Sequence, residues 1–288
     1  MAKLAPGDPA IARRTVRLDA AGVAIHAEWV RPPGAPAEPV LVLLHEGLGS
    51  TGFWKDLPEL FAARHGLSVF LYDRRGYGRS DPEPLPRPLD YLDRMAHEEL
   101  PAVLDAAGIG RAILLGHSDG GTIALLFAAA FPERVAAVIA IAAHVFVEDE
   151  TIRGIQAALA AFERGGLREK LAPFHGARTD TVFRAWADTW LDPRFRTWNV
   201  EDRLPSVRCP LLVLQGEADE YATAAQVAAI AAGVRGPVRT VLLPGADHVP
   251  HHRARAATLA AIDSFLDAVR ADAVAEGEGC RFEASGRS

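Results

Sequence analysis

The residues Gly116-His117-Ser118-Asp119-Gly120-Gly121 have the types and spacing for nucleophilic chemistry. They follow the apolar run Ala112-Ile113-Leu114-Leu115 and precede the helix-like run Thr122 to Phe131. A G-x-S-x-G at a strand-to-helix turn lifts its serine onto a strained tip, with glycines on either side because a Cβ would collide with neighbouring backbone. Ser118 is therefore the candidate nucleophile. Glycine and serine are common in turns, so the motif gains its weight from the strand before it and the helix after it.

A serine hydroxyl is a poor nucleophile at neutral pH and needs a base, and the base needs a group to orient it. Downstream, Leu211-Leu212-Val213-Leu214 runs into Gln215-Gly216-Glu217-Ala218-Asp219, and a later strand-like run leads into Pro244-Gly245-Ala246-Asp247-His248. Both segments lie just past predicted strands, at the sheet edge where ligands bind in open α/β folds. His248 is preferred over His251 and His252 because it directly follows the Gly245-Ala246-Asp247 turn. For the orienting carboxylate, Asp219, Glu217, Glu220 and Asp247 are all available, and spacing alone does not choose among them.

The elements that must carry these residues alternate, strand-length apolar runs with helical patterns, which predicts a parallel sheet with crossover helices. Strands are predicted at Thr15–Leu18, Val23–Val30, Val40–Leu44, Ser68–Tyr72, Ile113–Leu115, Ala137–Ile141, Leu211–Leu214 and Arg239–Leu243. The first two form a hairpin around Asp19-Ala20-Ala21-Gly22. The later ones are nearly continuous apolar runs, which predicts burial on both faces. Helices are predicted at Trp54–Arg64, Tyr91–Ala107, Gly121–Phe131, Thr223–Ala232 and Arg253–Ala271, with a kink or break at Pro101. Residues 144–205 lack a strand pattern and bring Trp186, Trp190, Phe195 and Trp198 close together in sequence, the pattern of a helical cap over the sheet edge. The expected organisation is a core of 12–143 and 206–271, a cap of 144–205, and a polar, glycine-rich, disordered tail of 272–288.

With His45-Glu46-Gly47-Leu48-Gly49 after the third strand, Asp73-Arg74-Arg75-Gly76-Tyr77-Gly78-Arg79-Ser80 after the fourth, and the order Ser118, Asp219, His248, the chain resembles the α/β-hydrolase superfamily over residues 12–271. The resemblance implies an eight-stranded, mostly parallel sheet. It also implies Ser118 as nucleophile, His248 as general base and then acid, and Asp219 as the carboxylate that fixes the imidazole tautomer. The backbone N–H groups of Gly47 and Asp119 are implied as the oxyanion hole. Many relatives read His-Gly-x-x-Gly in the loop after the third strand, and this chain departs from them with Glu46. A carboxylate near developing negative charge opposes catalysis, so Glu46 is expected to turn away and anchor its loop through hydrogen bonds. His45, Glu46, His117, His144, Trp186, Trp190 and Tyr221 are expected around the substrate, with Asp73 and Arg75 making turn contacts.

Composition bounds the partners. A 288-residue chain with 49% hydrophobic and 24% charged residues has the composition expected of a soluble globular protein, and its net charge of −6 argues against nucleic acid or an anionic membrane, which demand a basic face, as the main partner. Cys209 and Cys280 match neither a disulfide framework nor a zinc pattern, and no metal or phosphate-binding motif is present, so no cofactor is expected. The start Met1-Ala2-Lys3-Leu4-Ala5-Pro6 lacks an apolar leader pattern; a cytoplasmic monomer or homodimer acting on a small molecule is expected. The leading reading is a hydrolase of a carboxylic ester or thioester of a small, mainly apolar acyl compound. The alternatives are a carbon-carbon hydrolase of ring-cleavage products, which the family resemblance makes less apt because His117 and Val249 replace the usual asparagine and tryptophan, and a non-catalytic small-molecule receptor.

Overall fold

The computed structural model describes residues 11–284, with side-chain surroundings as far as residue 271. The strands β1 (Ala12–Ala20), β2 (Val23–Arg31), β3 (Val40–Leu44), β4 (Val69–Tyr72), β5 (Ala112–His117), β6 (Val135–Ile141), β7 (Leu211–Gly216) and β8 (Val238–Leu243) form one sheet in the order β1-β2-β4-β3-β5-β6-β7-β8. Pairing is antiparallel from β1 through β2 to β4 and parallel from β4 to β8. The β1–β2 turn uses Ala21 and Gly22, both with positive φ (52° and 81°), the geometry that matches the twist of paired strands.

The central strands are buried on both faces. In β3, Leu41 and Leu43 join one apolar cluster, while Val40, Val42 and Leu44 join another on the opposite side. The first face is covered by α1 (Leu57–His65) and by residues of the C-terminal helix, the second by the helices that follow β4 and β5. Burial does not extend to β8, where Val238 and Leu242 are exposed and only Leu243 is fully buried. The burial on both faces expected for the later strands stops here, because β8 is an edge strand with a single partner and Arg239 and Thr240 interrupt its apolar run.

Two predicted helices are interrupted. The one expected from Trp54 begins as a short 3-10 turn, Thr51–Trp54, and breaks at Lys55 (φ 51°) before α1. The one spanning 91–107 is α2 (Tyr91–Arg94), a π turn (Met95–Glu99) and α3 (Leu100–Ala107), so the break expected at Pro101 takes the form of a wider turn just before it. Then come α4 (Asp119–Ala130), α5 (Asp149–Arg164), α6 (Leu167–His175), α7 (Thr179–Trp190), α8 (Ala224–Gly233), α9 (Pro250–Arg253) and α10 (Arg255–Ala284). Helices α5 to α7 lie between β6 and β7, within the span read as a helical insertion. The backbone of α10 continues to Ala284, into the segment read as a disordered tail; Ala273, Ala275 and Glu276 favour helix there, and the helix runs on through Gly277 and Gly279. Residues 285–288, and the N-terminal segment read for a leader, lie outside the described residues. No helix among the described residues is long and apolar enough to cross a membrane.

Candidate active site

Ser118 sits between β5 and α4 with φ 53° and ψ −120°, a region that L-residues avoid and that costs on the order of 1–3 kcal/mol. The flanking glycines make that turn possible. A Cβ on Gly116 would lie 2.1 Å from the Gly120 carbonyl oxygen, and one on Gly120 would lie 2.0 Å from that of Leu44. The helix N-terminus is thus pressed onto β3. Because β3 pairs in parallel with β5, with Leu44 opposite Gly116, the loop after β3 meets the serine at one sheet edge.

The other half of the constellation comes from β7 and β8, which pair as far as Gly216 opposite Leu243. Beyond the strands the loops stay joined: Glu217 N–H donates to Leu243 O at 3.0 Å and Ala218 N–H to Ala246 O at 2.9 Å. A Cβ on Gly216 would meet Ala246 O at 2.1 Å. These joins bring Asp219 to His248, whose Nδ1 lies 2.9 Å from both carboxylate oxygens. Burial alone would lower the pKa of His248, but the hydrogen bond and charge of Asp219 outweigh it and raise the value. For Asp219, burial works upward and His248 outweighs it, so the carboxyl lies below its ordinary value. Of the rival carboxylates, Glu220 instead accepts the His248 backbone N–H at 3.1 Å, and Asp247 accepts that of Val249 at 3.0 Å.

Ser118 and His248 line the same cavity, of about 190 Å³. No hydrogen bond joins their side chains here, an arrangement that commonly tightens only in the Michaelis complex. Neither the Gly47 nor the Asp119 backbone N–H is taken by another group among the described residues. Asp119 opens α4, where the first N–H groups have no helical partner and the helix dipole favours negative charge.

Of the expected substrate-lining residues, Glu46, His117, His144, Trp186, Trp190 and Tyr221 line this cavity, and His45 does not. His45 is fully buried beneath the loop, where its Nδ1–H donates to Glu46 O at 2.8 Å and its Nε2 accepts the Arg74 backbone N–H at 3.1 Å. Burial, then the charge of Arg74, hold its pKa well below the ordinary histidine value. The Glu46 carboxylate folds against Gly49, where a Cβ would lie 2.5 Å from it, and stands 3.5 Å from His117 Nδ1. Burial disfavours its charge, yet His117 outweighs this and the carboxyl is lowered to about 2. Hydrogen bonds do hold the loop, but they reach Glu46 through its backbone carbonyl and not its carboxylate. His117 in turn donates from Nε2 to the backbone oxygen of His248 at 2.7 Å.

The aromatic cluster divides. Trp186 presses on Gly47, where a Cβ would meet its ring at 2.5 Å, and Trp190 donates from Nε1 to Tyr91 Oη at 2.8 Å. Phe195 and Trp198 stack on each other outside the cavity, centroids 5.4 Å apart. The sequence reading missed Phe53, Thr151, Ile155, Leu167 and Leu171, which complete the apolar wall. The helical spacing of Thr151 and Ile155 marks one buried face of α5, but nothing local says that it meets the serine.

A family model described as alpha/beta hydrolase fold matches residues 39–228. The human serine hydrolase BPHL is 30% identical over 216 residues, 72% of this chain and 71% of that protein. The putative carbamate hydrolase RutD of Azorhizobium caulinodans is 43% identical over 95 residues, a match that spans 33% of this chain and 34% of RutD. Among solved structures, proline iminopeptidase of Mycobacterium smegmatis superposes with a TM-score of 0.70 at 22% identity, covering 90% of this chain and all of that one, a likeness of fold.

Proposed function

Because this chain belongs to the alpha/beta hydrolase family, we propose that it is a serine hydrolase that cleaves small, uncharged carboxylic esters through an acyl-enzyme. The observation that carries this reading is the strained Ser118 facing one small cavity with a His248 whose Nδ1 is bound to Asp219. Ser118 Oγ attacks the ester carbonyl while His248 Nε2 takes its proton; Asp219 keeps the proton on Nδ1 and offsets the imidazolium charge. The N–H groups of Gly47 and Asp119 receive the tetrahedral oxyanion. His248 then protonates the departing alcohol and later draws a proton from water, which releases the acid and restores Ser118.

The cavity supports a compact acyl group, since it is smaller than the ~300–1,000 Å³ typical of pockets for drug-sized ligands. Charge supports an uncharged one. Glu46, Asp119 and Glu220 line the cavity, while no lysine or arginine does so among the described residues. A ring-cleavage product carries a carboxylate, and a wall without lysine or arginine offers it no permanent cation, which argues against carbon-carbon hydrolysis. Purified protein assayed against matched short-chain esters, thioesters and ring-cleavage acids tests the reading. Fastest turnover of the neutral esters is expected; selective turnover of the acids would overturn it.

A further inference from the structure

We propose that Arg74 is a positioning residue for the oxyanion hole, acting through the peptide bond between Glu46 and Gly47; this rests on the serine-hydrolase reading above. Arg74 is fully buried, where a guanidinium is costly unless its donors are satisfied, and both of its terminal nitrogens find partners while Nε does not. Its Nη2 donates to Glu46 O at 2.8 Å, its Nη1 to Met95 Sδ at 3.0 Å, and the guanidinium carbon lies 4.6 Å from the centre of the Tyr77 ring. Glu46 O also receives the His45 bond described above.

That oxygen belongs to the same planar peptide unit as the Gly47 N–H. In a trans peptide the C=O and N–H point in opposite directions, so a carbonyl held on the Arg74 side fixes the N–H on the other. Gly47 lines the cavity, and its N–H is the group left free. A cation on the carbonyl also polarises the peptide and strengthens its N–H as a donor, an effect on the order of 10–30% per bond.

Arg74 reaches the second half of the hole as well. Its Nη1 stands 3.7 Å from Asp119 Oδ2, an oxygen that also accepts the Tyr91 hydroxyl at 2.9 Å. The same oxygen packs on Gly47, where a Cβ would lie 3.2 Å from it. An unbalanced Asp119 carboxylate there would repel the tetrahedral oxyanion. The guanidinium therefore orients one amide of the hole and offsets the charge carried by the residue that supplies the other.

The test compares wild type with Arg74→Met and Arg74→Lys. It reads kcat, KM and the inhibition constants of a trifluoromethyl ketone, which adds to the serine to give an oxyanion, and of the methyl ketone of the same shape. For Arg74→Met, kcat falls about 10- to 100-fold, somewhat less than loss of a whole donor causes, and KM moves less than threefold. Trifluoromethyl ketone affinity falls in step with kcat/KM, while methyl ketone affinity holds. Arg74→Lys, which keeps the charge but loses the fork, falls in between and carries the test if the Met variant does not fold. Wild-type kcat in either folded variant, or equal weakening of both ketones, would overturn the proposal. If the wild-type protein forms no ketone adduct at Ser118, the serine-hydrolase reading fails and the proposal falls with it; an adduct in wild type with unchanged affinity in the variants sinks the role of Arg74 alone.

Discussion

The cavity has two walls of different construction. On the sheet side, the loops after β3, β5, β7 and β8 approach so closely that Gly116, Gly120 and Gly216 each leave about 2 Å between a hypothetical Cβ and a carbonyl oxygen. On the helical side, α5 to α7 line the cavity with Thr151 and Ile155, Leu167 and Leu171, Trp186 and Trp190, and a comparably close approach to the sheet-side loops occurs at Gly154 of α5, where a Cβ would lie 2.5 Å from Glu220 O. Backbone contact of the first kind has no slack, whereas a wall of side chains tolerates exchange at the cost of shape. On the serine-hydrolase reading proposed above, the chemistry would belong to the sheet edge and the choice of acyl group to the inserted helices.

The sharpest way to break this division is at the serine. Ser118→Ala is expected to lose turnover by about 10⁴-fold or more. Ser118→Gly should be equally inactive yet melt higher, by about 1 kcal/mol of stability, because glycine adopts positive φ without strain. Steady-state kinetics with melting curves check both. A Ser118→Gly protein less stable than wild type would show that the elbow stores no strain.

Next in size is the contrast between two aromatics of the helical side. Trp186→Ala should keep turnover within about tenfold but shift preference toward longer acyl chains, because it opens the cavity wall. Phe195→Ala, outside the cavity and packed between Trp190 and Trp198, should cost about 3–5 kcal/mol of stability and leave the preference alone. An acyl-chain series measured beside chemical denaturation separates the two. Identical preference profiles for wild type and Trp186→Ala would remove specificity from the helices.

The smallest expected effect is a displaced titration. His248 must be neutral to act as base, and its pKa is raised, so kcat/KM should climb with pH through a midpoint above ~6.5. In Asp219→Asn the largest upward pull is gone, with only the weaker pulls of Glu220 and Glu46 left against burial, so the residual activity should titrate at lower pH. A pH–rate profile with an unmoved acid limb would mean that another carboxylate holds the histidine.

The same division explains what the sequence made legible. Ser118 and His248 each follow a strand within a few residues, so a local pattern pointed to them, whereas Asp219 stood among four carboxylates that spacing could not separate and was singled out only by the family resemblance; the register of β3 on β5 then brought Gly47 to Asp119. Side chains whose neighbours come from distant segments were less legible. His45 adjoins the loop in sequence, but its ring turns inward to Arg74, and no pattern in the sequence marks that direction. Trp186 and Phe195 are both aromatics of one short stretch; only tertiary packing sends one to the cavity and the other away. The exposure of β8 was partly legible, since Arg239 and Thr240 interrupt its apolar run, but its place at the sheet edge came only with the topology.

A serine hydrolase of this design passes through acylation of Ser118 during turnover. Mass spectrometry of protein quenched while hydrolysing a short-chain p-nitrophenyl ester tests it most directly. One added acyl group is expected on the peptide that contains Ser118, and none in Ser118→Ala. Continued turnover with no adduct on that peptide, together with wild-type rates in Ser118→Ala, would contradict it.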